Sequence, residues 1–560
     1  MSTKDLEHIP SGYLSTAWQR RCANATLIVV LVTIGRWCRA LQEGGHDWGD
    51  DFALYIRQAQ ALAGGYVGQV TGDTHFALRH SGWPFTPEAY PWGWPLVMMP
   101  VVARWGVDYS KLKLLVTLVF LVFLLLFHTV CRRRMGEIAA LLMVMAIGVN
   151  YFFISWTNNV LSEFPFMAAM MLVFLAFDRY QRSGSLWNNS RRPAIGLGLA
   201  LALAANIRRE GYALPLGIVV AHGIEFLRPM PSMRSSNSHH RLNSLRSFVV
   251  SSREFLRRAY IPYAVLLAAL LGWQILLPSD LLPNSRGVKP QNFSENARWY
   301  HGIVAEHLGL KDPGDTPFRF GTHSNFGDAT GPLLLRILLI AAVVGLVLRF
   351  WIAPREDGWL IGSLAGVAYV VFAAPFHDGR YFYVLSPWVL YFAVQSIPGA
   401  FELVRRVHAE PDDRVRRASR SARIAYTLRC VLLGLVIWSN WPSTSHAINY
   451  HRKYAYVENG PESPDSKDMF AAVERLVPTN DVILFFRSRA MMLYTERRSV
   501  QHTDIMRMRT VAQWYMMERN SSYGQTLIQG GEEQRYGVEK AWENNRWILW
   551  RFVPMLRPTP

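Results

Sequence analysis

Apolar residues of this chain are gathered into long runs that are separated by short polar segments. Runs of roughly 20 apolar residues suffice to cross a hydrocarbon layer about 30 Å thick. The pattern predicts a polytopic α-helical membrane protein with about 11 to 13 transmembrane helices. The predicted spans lie at 24–41, 111–130, 136–156, 159–178, 193–206, 211–227, 260–278, 332–351, 358–375, 382–400 and 424–441.

One apolar segment, PWGWPLVMMPVVARWG at 91–106, is too short and too rich in proline to be assigned from its pattern. Two alternatives stay open for it at this level. The segment either crosses the membrane as a further span or forms a re-entrant element.

The composition changes after Trp441, where the apolar runs stop. Residues 463–478 have a helical period, whereas DVILFF at 481–486 and WILWRF at 547–552 are typical of strands. The sequence therefore predicts two domains. Residues 1–441 form the transmembrane domain, and 442–560 form a small extracytoplasmic α/β domain.

The formal net charge of +18 comes from arginine-rich segments that fall between predicted spans. These segments are 132–134, 179–192, 228–258 and 405–423, and the positive-inside rule places them in the cytoplasm. The loops 42–92 and 279–331 and the tail 442–560 then lie outside. The basic runs lack the interleaved aromatic residues that stack on bases, so no nucleic-acid partner is predicted.

The N-terminus and the cysteines exclude two further classes. The first 20 or so residues are polar, so 24–41 is predicted to be a retained first span and not a cleaved signal. The four cysteines lie in or beside spans and have no Cys-x-x-Cys spacing. Neither a disulfide framework nor a structural zinc site is predicted.

Candidate chemistry begins directly after the first span, in GGHDWGDDFALYIRQAQALAGG at 44–65. Apolar residues at three- and four-residue steps predict a helix that starts near Asp50 and Asp51 and ends at the glycine pair 64–65. Two interpretations stay open. Either one aspartate caps the helix while the others are solvated, or Asp50 is directed into a cavity as a general base while Asp51 caps or supports it. His46 and Asp47 lie close enough in sequence to join such a site.

Three arginines stand at predicted outer ends of spans, against the charge rule. They are Arg208 and Arg209 in NIRREG and Arg380 in PFHDGRYFYVLSPW. An arginine at a span end is often only an anchor that extends its charge to the interface. The other interpretation is that these cations bind anionic headgroups or an anionic ligand.

Several motifs occur in an order that resembles the GT-C superfamily of integral-membrane glycosyltransferases. The resemblance is to the branch that holds the lipid A aminoarabinose transferase and the protein O-mannosyltransferases. It covers most of the chain, although Trp92 and Trp94 replace the family's second proline and its tyrosine. The matching segments are GDDFALYIRQA (49–59), PWGWP (91–95), LSEFPF (161–166), IRREG (207–211), GRYFYVLSPW (379–388) and VPTNDVILFFRSRAMMLYTERRS (477–499).

The resemblance implies a transfer that inverts the anomeric centre, from a polyprenyl-phosphate-linked sugar donor to a lipid, glycan or protein acceptor. Asp50 corresponds to the family's general base, and Asp51 follows it as the second acidic residue. It also implies a membrane enzyme, expected in the bacterial inner membrane with its site facing the periplasm. Residues expected at the donor phosphate are Arg208, Arg209, Arg380 and Tyr381, and those expected to support them or to contact the acceptor are Glu163 and His377.

No cofactor and no metal are predicted, because arginines alone can neutralise a monophosphate leaving group. Two other classes of function stay open. One is a transporter or flippase of lipid-linked sugars, and the other is a lipid-linked phosphotransferase or ligase. Transporters commonly show two related halves and ionisable residues within spans. This chain has no internal repeat, and its acidic cluster follows a span, which favours an enzyme.

Overall fold

The computed structural model describes residues 17–82, 89–183, 191–226, 259–279, 292–307, 330–374, 378–408, 414–451, 457, 459–520 and 525–553. Helices dominate these ranges, and a single sheet lies near the C-terminus. The helices are α1 Ala17–Ala40, α2 Asp51–Gly64, α3 Val67–His80, α4 Gly93–Trp105, α5 Tyr109–Met135, α6 Glu137–Gly148, α7 Tyr151–Trp156, α8 Glu163–Arg182, α9 Arg191–Ile207, α10 Pro215–Phe226, α11 Ile261–Leu276, α12 Phe293–His307, α13 Thr330–Ile352, α14 Pro354–Phe372, α15 Gly379–Phe382, α16 Ser386–His408, α17 Arg414–His451, α18 Pro464–Leu476, α19 Ser488–Thr495, α20 Ile505–Met508 and α21 Glu533–Tyr536.

The helices build a membrane-embedded bundle, and the chain is an integral membrane protein. Within the described ranges, four helical segments are individually long and apolar enough to cross a bilayer: Arg21–Ala40, Tyr109–Met135, Leu333–Ile352 and Ser421–Asn449. Their outward faces carry exposed apolar side chains, which lipid tails can solvate whereas water does not. Examples are Val29, Leu118, Ile340, Val343 and Val431.

Each predicted span coincides with a helix except 136–156, which is divided into α6 and α7. Asn150 lies at the break and caps α7, because its side chain accepts a hydrogen bond from the backbone N–H of Phe152. The Asn150 amide also donates to Asn440 Oδ1 of α17 at 2.9 Å, and Thr444 Oγ1 donates to the carbonyl of Val149 at 2.5 Å. Thr444 of another helix thus satisfies a backbone carbonyl that the break leaves open, and Asn440 holds the capping side chain of Asn150.

The segment 91–106 forms α4, a helix of 13 residues that contains Pro100. At 1.5 Å per residue this helix is about 20 Å long, which is shorter than a hydrocarbon layer of about 30 Å. It does not cross the bilayer alone. Instead it packs beside α2 and α9. Gly93 allows the close approach to α9, since a Cβ there would lie 2.6 Å from the carbonyl oxygen of Asn206.

A buried charge cluster closes one end of the bundle. Arg134 near the end of α5 binds Asp178 of α8 at 2.8 Å and Asp357 of α14 at 3.1 Å. Arg349 of α13 binds the same Asp357. Asp178 lies near the end of α8, whereas Glu163 begins that helix. The cluster therefore lies roughly 25 Å from the end of the bundle where α8 starts.

The C-terminal residues form a small sheet of five strands that are joined in the order β2-β1-β3-β5-β4. The strand β1 pairs in parallel with β2 and β3, whereas β5 pairs antiparallel with β3 and β4. The predicted strands at 481–486 and 547–552 are β1 and β5. The bounds are β1 Ile483–Leu484, β2 Ser499–Val500, β3 Trp514–Glu518, β4 Val538–Glu543 and β5 Trp547–Phe552.

The sheet domain lies on the end of the bundle where α8 starts. Trp48, from the loop before α2, inserts among Phe485, Phe486 and Trp547 with ring centroids 5.3–5.8 Å apart. The described residues of 42–92, 279–331 and 442–560 meet at this same end. For example, Trp92 Nε1 donates at 2.8 Å to the carbonyl of Pro278, which directly precedes the segment 279–331. This end of the bundle is called the loop end below.

Candidate active site

Two adjacent carboxylates open α2 at the loop end. Asp50 precedes the helix with φ −101° and ψ −30°, and its side chain makes no capping hydrogen bond. The Asp50 side chain therefore does not cap the helix, and its role as general base stays a prediction. Adjacent helical residues diverge by about 100° around the axis, so the two carboxylates meet different partners. Gly65, with φ 76°, ends the helix as predicted.

Asp51 is held by cations and a hydroxyl on two sides. Its Oδ2 lies 2.7 Å from Arg380 Nη1, and its Oδ1 accepts a hydrogen bond from the Tyr90 hydroxyl and lies 3.4 Å from Arg489 Nη1. Burial alone would raise the pKa of this carboxyl. The guanidinium groups of Arg380 and Arg489 outweigh that effect and lower the pKa of Asp51 to about 2. Asp51 is therefore ionised at neutral pH.

Asp50 is held more loosely. Its Oδ2 lies 3.6 Å from Arg489 Nη1, while its Oδ1 is buried without a hydrogen-bond partner among the described residues. Burial raises the pKa of Asp50 above its ordinary value, and the guanidinium groups of Arg489 and Arg487 oppose this shift. Two neighbouring carboxylates with pKa values displaced in opposite directions are suited to different tasks.

Arg380 lies in the short helix α15. Asp378 caps this helix by accepting from the backbone N–H of Arg380 at 3.0 Å, and its Oδ2 lies 3.0 Å from Arg380 Nε. The guanidinium of Arg380 lies over the ring of Tyr381 at 5.1 Å, and its Nη2 donates to the Tyr381 hydroxyl at 3.3 Å. The local turn thus fixes the cation that holds Asp51.

Arg208 comes directly after α9, where the chain leaves the helix. Its Nη1 binds Glu163 Oε1 at 2.5 Å, and its Nη2 binds Glu210 Oε1 at 2.6 Å. Its guanidinium lies over the ring of Tyr381 at 5.5 Å. The ring of Tyr381 therefore contacts both Arg208 and Arg380, so residues about 170 positions apart in sequence join in one site.

The structure brings most of the predicted site residues together. Asp50, Asp51, Glu163, Arg208, Arg380 and Tyr381 are linked by the contacts given above. Arg209 is half-buried in the turn that follows Arg208, beside Glu210. His377 lies outside the described residues.

Three further residues of the site were missed by the sequence analysis. Glu210 is part of IRREG, where its spacing from Arg208 offered a signal. Tyr90 directly precedes PWGWP, and its position depends on Gln58, which bonds its carbonyl at 2.8 Å and its N–H at 3.1 Å. Arg489 is 438 residues from Asp51, and no local pattern could connect them.

His46 and Asp47, in the loop before α2, form an ion pair of their own. His46 Nδ1 lies 2.8 Å from Asp47 Oδ1, its Nε2 accepts from the N–H of Val160 at 3.3 Å, and its ring stacks on Phe52. Both ring nitrogens thus have protein partners. In the ranges that the structure covers, no group of three or more His, Cys, Asp or Glu side chains is arranged to hold a metal ion. Independence from metal stays a prediction.

Replacing Asp51 with Asn is expected to destabilise the loop end. Losing one partner of a buried ion pair costs about 3–5 kcal/mol. The side chains here are 24% and 19% exposed, so we expect on the order of 1–3 kcal/mol. Thermal unfolding in detergent measures this cost. The matched control is Glu356→Gln, which removes a 71% exposed carboxylate from Arg349 at the other end. Equal unfolding temperatures for the two variants would contradict the prediction.

The contribution of Asp51 to stability also has a defined pH range. Its pKa is lower in the folded protein than the ordinary value of 3.8, so the ionised form is bound more favourably by the fold. The stabilisation is complete above about pH 4 and is lost as the pH falls towards about 2. Wild type and Asp51→Asn are therefore expected to converge in stability over this range.

No family model matches the sequence, and no curated protein matches it either. Solved structures do match. ArnT from Cupriavidus metallidurans bound to undecaprenyl phosphate superposes with a TM-score of 0.50 at 11% identity, over 96% of this chain and 99% of that one. The apo state of the same protein gives 0.50 at 12% identity, over 94% and 97%.

The archaeal oligosaccharyltransferase AglB from Archaeoglobus fulgidus, in complex with an inhibitory peptide and a dolichol-phosphate, gives a TM-score of 0.47 at 11% identity. The match covers 88% of this chain and 69% of that one. The likeness to ArnT spans both chains almost entirely. It confirms the predicted GT-C fold, a helical membrane bundle with a C-terminal sheet domain.

Proposed function

We propose that this protein is a glycosyltransferase that moves a sugar from a polyprenyl-phosphate donor to a lipid, glycan or protein acceptor. One observation carries the proposal. At the loop end of a membrane bundle, a carboxylate with one oxygen that no described residue hydrogen-bonds lies beside a second carboxylate that is bound to a fixed arginine. The fold shared with ArnT bound to undecaprenyl phosphate supports a polyprenyl phosphate as the carrier.

The proposed reaction needs a general base for the acceptor and cations for the leaving phosphate. The acceptor hydroxyl attacks the anomeric carbon, and its proton passes to Asp50 as general base. The bond between that carbon and the phosphate oxygen breaks, which inverts the anomeric centre and releases polyprenyl phosphate. Asp50 has the properties needed, because its Oδ1 is not engaged by a described residue and its pKa is raised towards the working range.

The negative charge that grows on the leaving phosphate requires fixed cations. Arg208 and Arg380 are proposed to supply them, with Tyr381 as a further donor. Both arginines already bind carboxylates, which fixes their position before the donor arrives. A guanidinium has five N–H donors, so these bonds leave others for phosphate oxygens. Arg209 is proposed as an additional cation at the edge of the site.

Cells that lack the protein provide the direct test. Glycolipids and glycans are compared by mass spectrometry with cells that express wild type or Asp50→Asn. The proposal expects one sugar to disappear from an acceptor, its polyprenyl-phosphate form to accumulate, and only wild type to restore transfer. Unchanged glycans together with a redistributed lipid would instead identify a transporter. The purified wild type should release polyprenyl phosphate from the accumulated donor.

We further propose that the loop end faces the periplasm of a bacterial inner membrane. Asn545 is exposed in the turn between β4 and β5, and Glu356 is exposed at the opposite end. Single cysteines are introduced at these two positions in a Cys22→Ser background. Intact cells are then treated with a maleimide that cannot cross the inner membrane. We expect Asn545→Cys to be labelled and Glu356→Cys to be labelled only after lysis. The reverse pattern would place the site in the cytoplasm.

A further inference from the structure

The sheet domain is joined to α2 and α5 by specific hydrogen bonds. Its helix α19 lies against α2, with Arg57 Nη1 donating to Met492 Sδ at 3.4 Å. Tyr494 at the end of α19 shares a hydrogen bond with the Tyr109 hydroxyl at 2.6 Å, where α5 begins. The first residues of α19 are thereby brought to the start of α2, beside the two aspartates.

Arg489, the second residue of α19, enters the site from this domain. Its side chain is only 3% exposed. Its Nη1 lies 3.6 Å from Asp50 Oδ2, 3.4 Å from Asp51 Oδ1 and 3.2 Å from the Tyr90 hydroxyl. Its guanidinium also lies over the ring of Tyr90 at 5.3 Å. One arginine of the sheet domain thus contacts both carboxylates of the membrane bundle.

We propose that Arg489 is a positioning residue for the general base, so that the transferase site is completed by the C-terminal sheet domain. This inference rests on the proposed function of Asp50. A cation beside Oδ2 fixes the orientation of the carboxylate and leaves Oδ1 for the acceptor hydroxyl. Burying a guanidinium is costly unless carboxylates compensate it, so the pair of aspartates also explains why Arg489 is tolerated there.

The charge of Arg489 has a second consequence for Asp50. The groups that act on Asp50 are the guanidinium groups of Arg489 and Arg487, the backbone N–H of Arg489, and Asp51 of α2. Arg380 and Tyr90 act on Asp51. Burial raises the pKa of Asp50, whereas the two sheet-domain arginines lower it. Removing Arg489 is expected to raise that pKa further. The ionised base is then lost at a higher pH.

Arg498 provides a matched control for general domain docking. It also belongs to the sheet domain and binds Asp73 of α3 at 3.0 Å, but its side chain is 53% exposed. Asp73 has a second partner in Arg57, at 3.1 Å. Arg498→Ala therefore removes one bridge between the domains and leaves the groups around Asp50 in place.

The experiment compares Arg489→Gln, Arg489→Lys and Arg498→Ala in the full-length protein. The probe is the polyprenyl-phosphate sugar that accumulates in cells lacking the protein, and kcat and KM for polyprenyl phosphate release are measured against pH. We expect Arg489→Gln to lower kcat by roughly 10- to 100-fold with little change in KM. The acidic limb of its pH profile, where kcat falls as Asp50 becomes protonated, should move up by about one pH unit. Arg489→Lys should restore the limb, and Arg498→Ala should match wild type.

A second measurement needs no substrate and addresses loss of folding. The unfolding temperatures of Arg489→Gln, Asp50→Asn and the double variant form a cycle that reports the coupling between the two side chains. Coupling is expected for this pair. The inference would be overturned if the acidic limb of the Arg489→Gln pH profile stayed at the wild-type pH and the changes in unfolding temperature of the two single variants simply added up in the double variant. Full activity of Asp50→Asn would instead overturn the proposed function, whatever the Arg489 variants show.

Discussion

Replacing Asp50 with Asn is expected to lower kcat for sugar transfer by about 10²- to 10⁴-fold, the usual contribution of a general base. The amide has nearly the same shape as the carboxylate but cannot accept the acceptor's proton. Asp50 makes no capping hydrogen bond, and its Oδ1 has no partner in the described part of the chain, so the change breaks few contacts. Expression and binding of the lipid donor should therefore persist.

The pH dependence of the wild-type reaction tests the same assignment. Asp50 works only when ionised, so activity should fall as the pH decreases through its pKa. Because burial raises that pKa, the acidic limb should lie above the ordinary carboxyl value of 3.8. Asp51 has a pKa of about 2 and cannot produce this limb. If the Asp50→Asn variant transferred sugar at the wild-type rate, the general base would have to be another group.

Asp51→Asn is the control for the Asp50 variant, since it changes the neighbouring carboxylate by the same single atom. Asp51 binds Arg380 and Tyr90, so its loss acts on the stability and geometry of the site. Transfer by Asp51→Asn should decline less than transfer by Asp50→Asn once the fraction of folded protein is taken into account. Equal residual activities would mean that the two carboxylates do not divide the work as proposed.

Replacing Arg208 or Arg380 with Ala is expected to weaken binding of undecaprenyl phosphate by roughly 10- to 150-fold. The expectation follows from the value of a hydrogen bond to a charged group, about 1.5–3 kcal/mol. Both guanidinium groups contact the ring of Tyr381, so they can approach one phosphate from neighbouring directions. Binding is measured by titration of the purified protein in detergent.

The controls for these variants separate charge from general disruption. Arg208→Lys and Arg380→Lys keep the positive charge near Glu163, Glu210 and Asp51, and should lose less affinity than the alanine variants. Arg355→Ala removes a half-exposed arginine that binds Glu225 at the opposite end, and it should bind as wild type. Unchanged affinity on replacing Arg208, Arg209 and Arg380 in turn would remove all three from the donor site.

The sequence by itself determined those features that depend on near neighbours in the chain. Runs of apolar residues specified where the helices lie, because crossing a bilayer requires a continuous apolar surface. The stop of α2 at Gly65 followed from the positive φ that glycine readily adopts. The placement of Asp50 and Asp51 at the start of a helix was equally local. Arg208, Arg209 and Arg380 were singled out by their unusual position at span ends, whereas Tyr381 was expected from the resemblance to the GT-C superfamily.

Tertiary structure alone decided how these pieces act on one another. The break in 136–156 depends on Asn440 and Thr444 of a distant helix, and α4 is too short to span although its residues are as apolar as those of a span. The opposite pKa shifts of Asp50 and Asp51 depend on Arg489 and Arg380, which are brought there by folding. Charge interactions act through space over a few ångströms, whereas periodicity reports only neighbours along the chain.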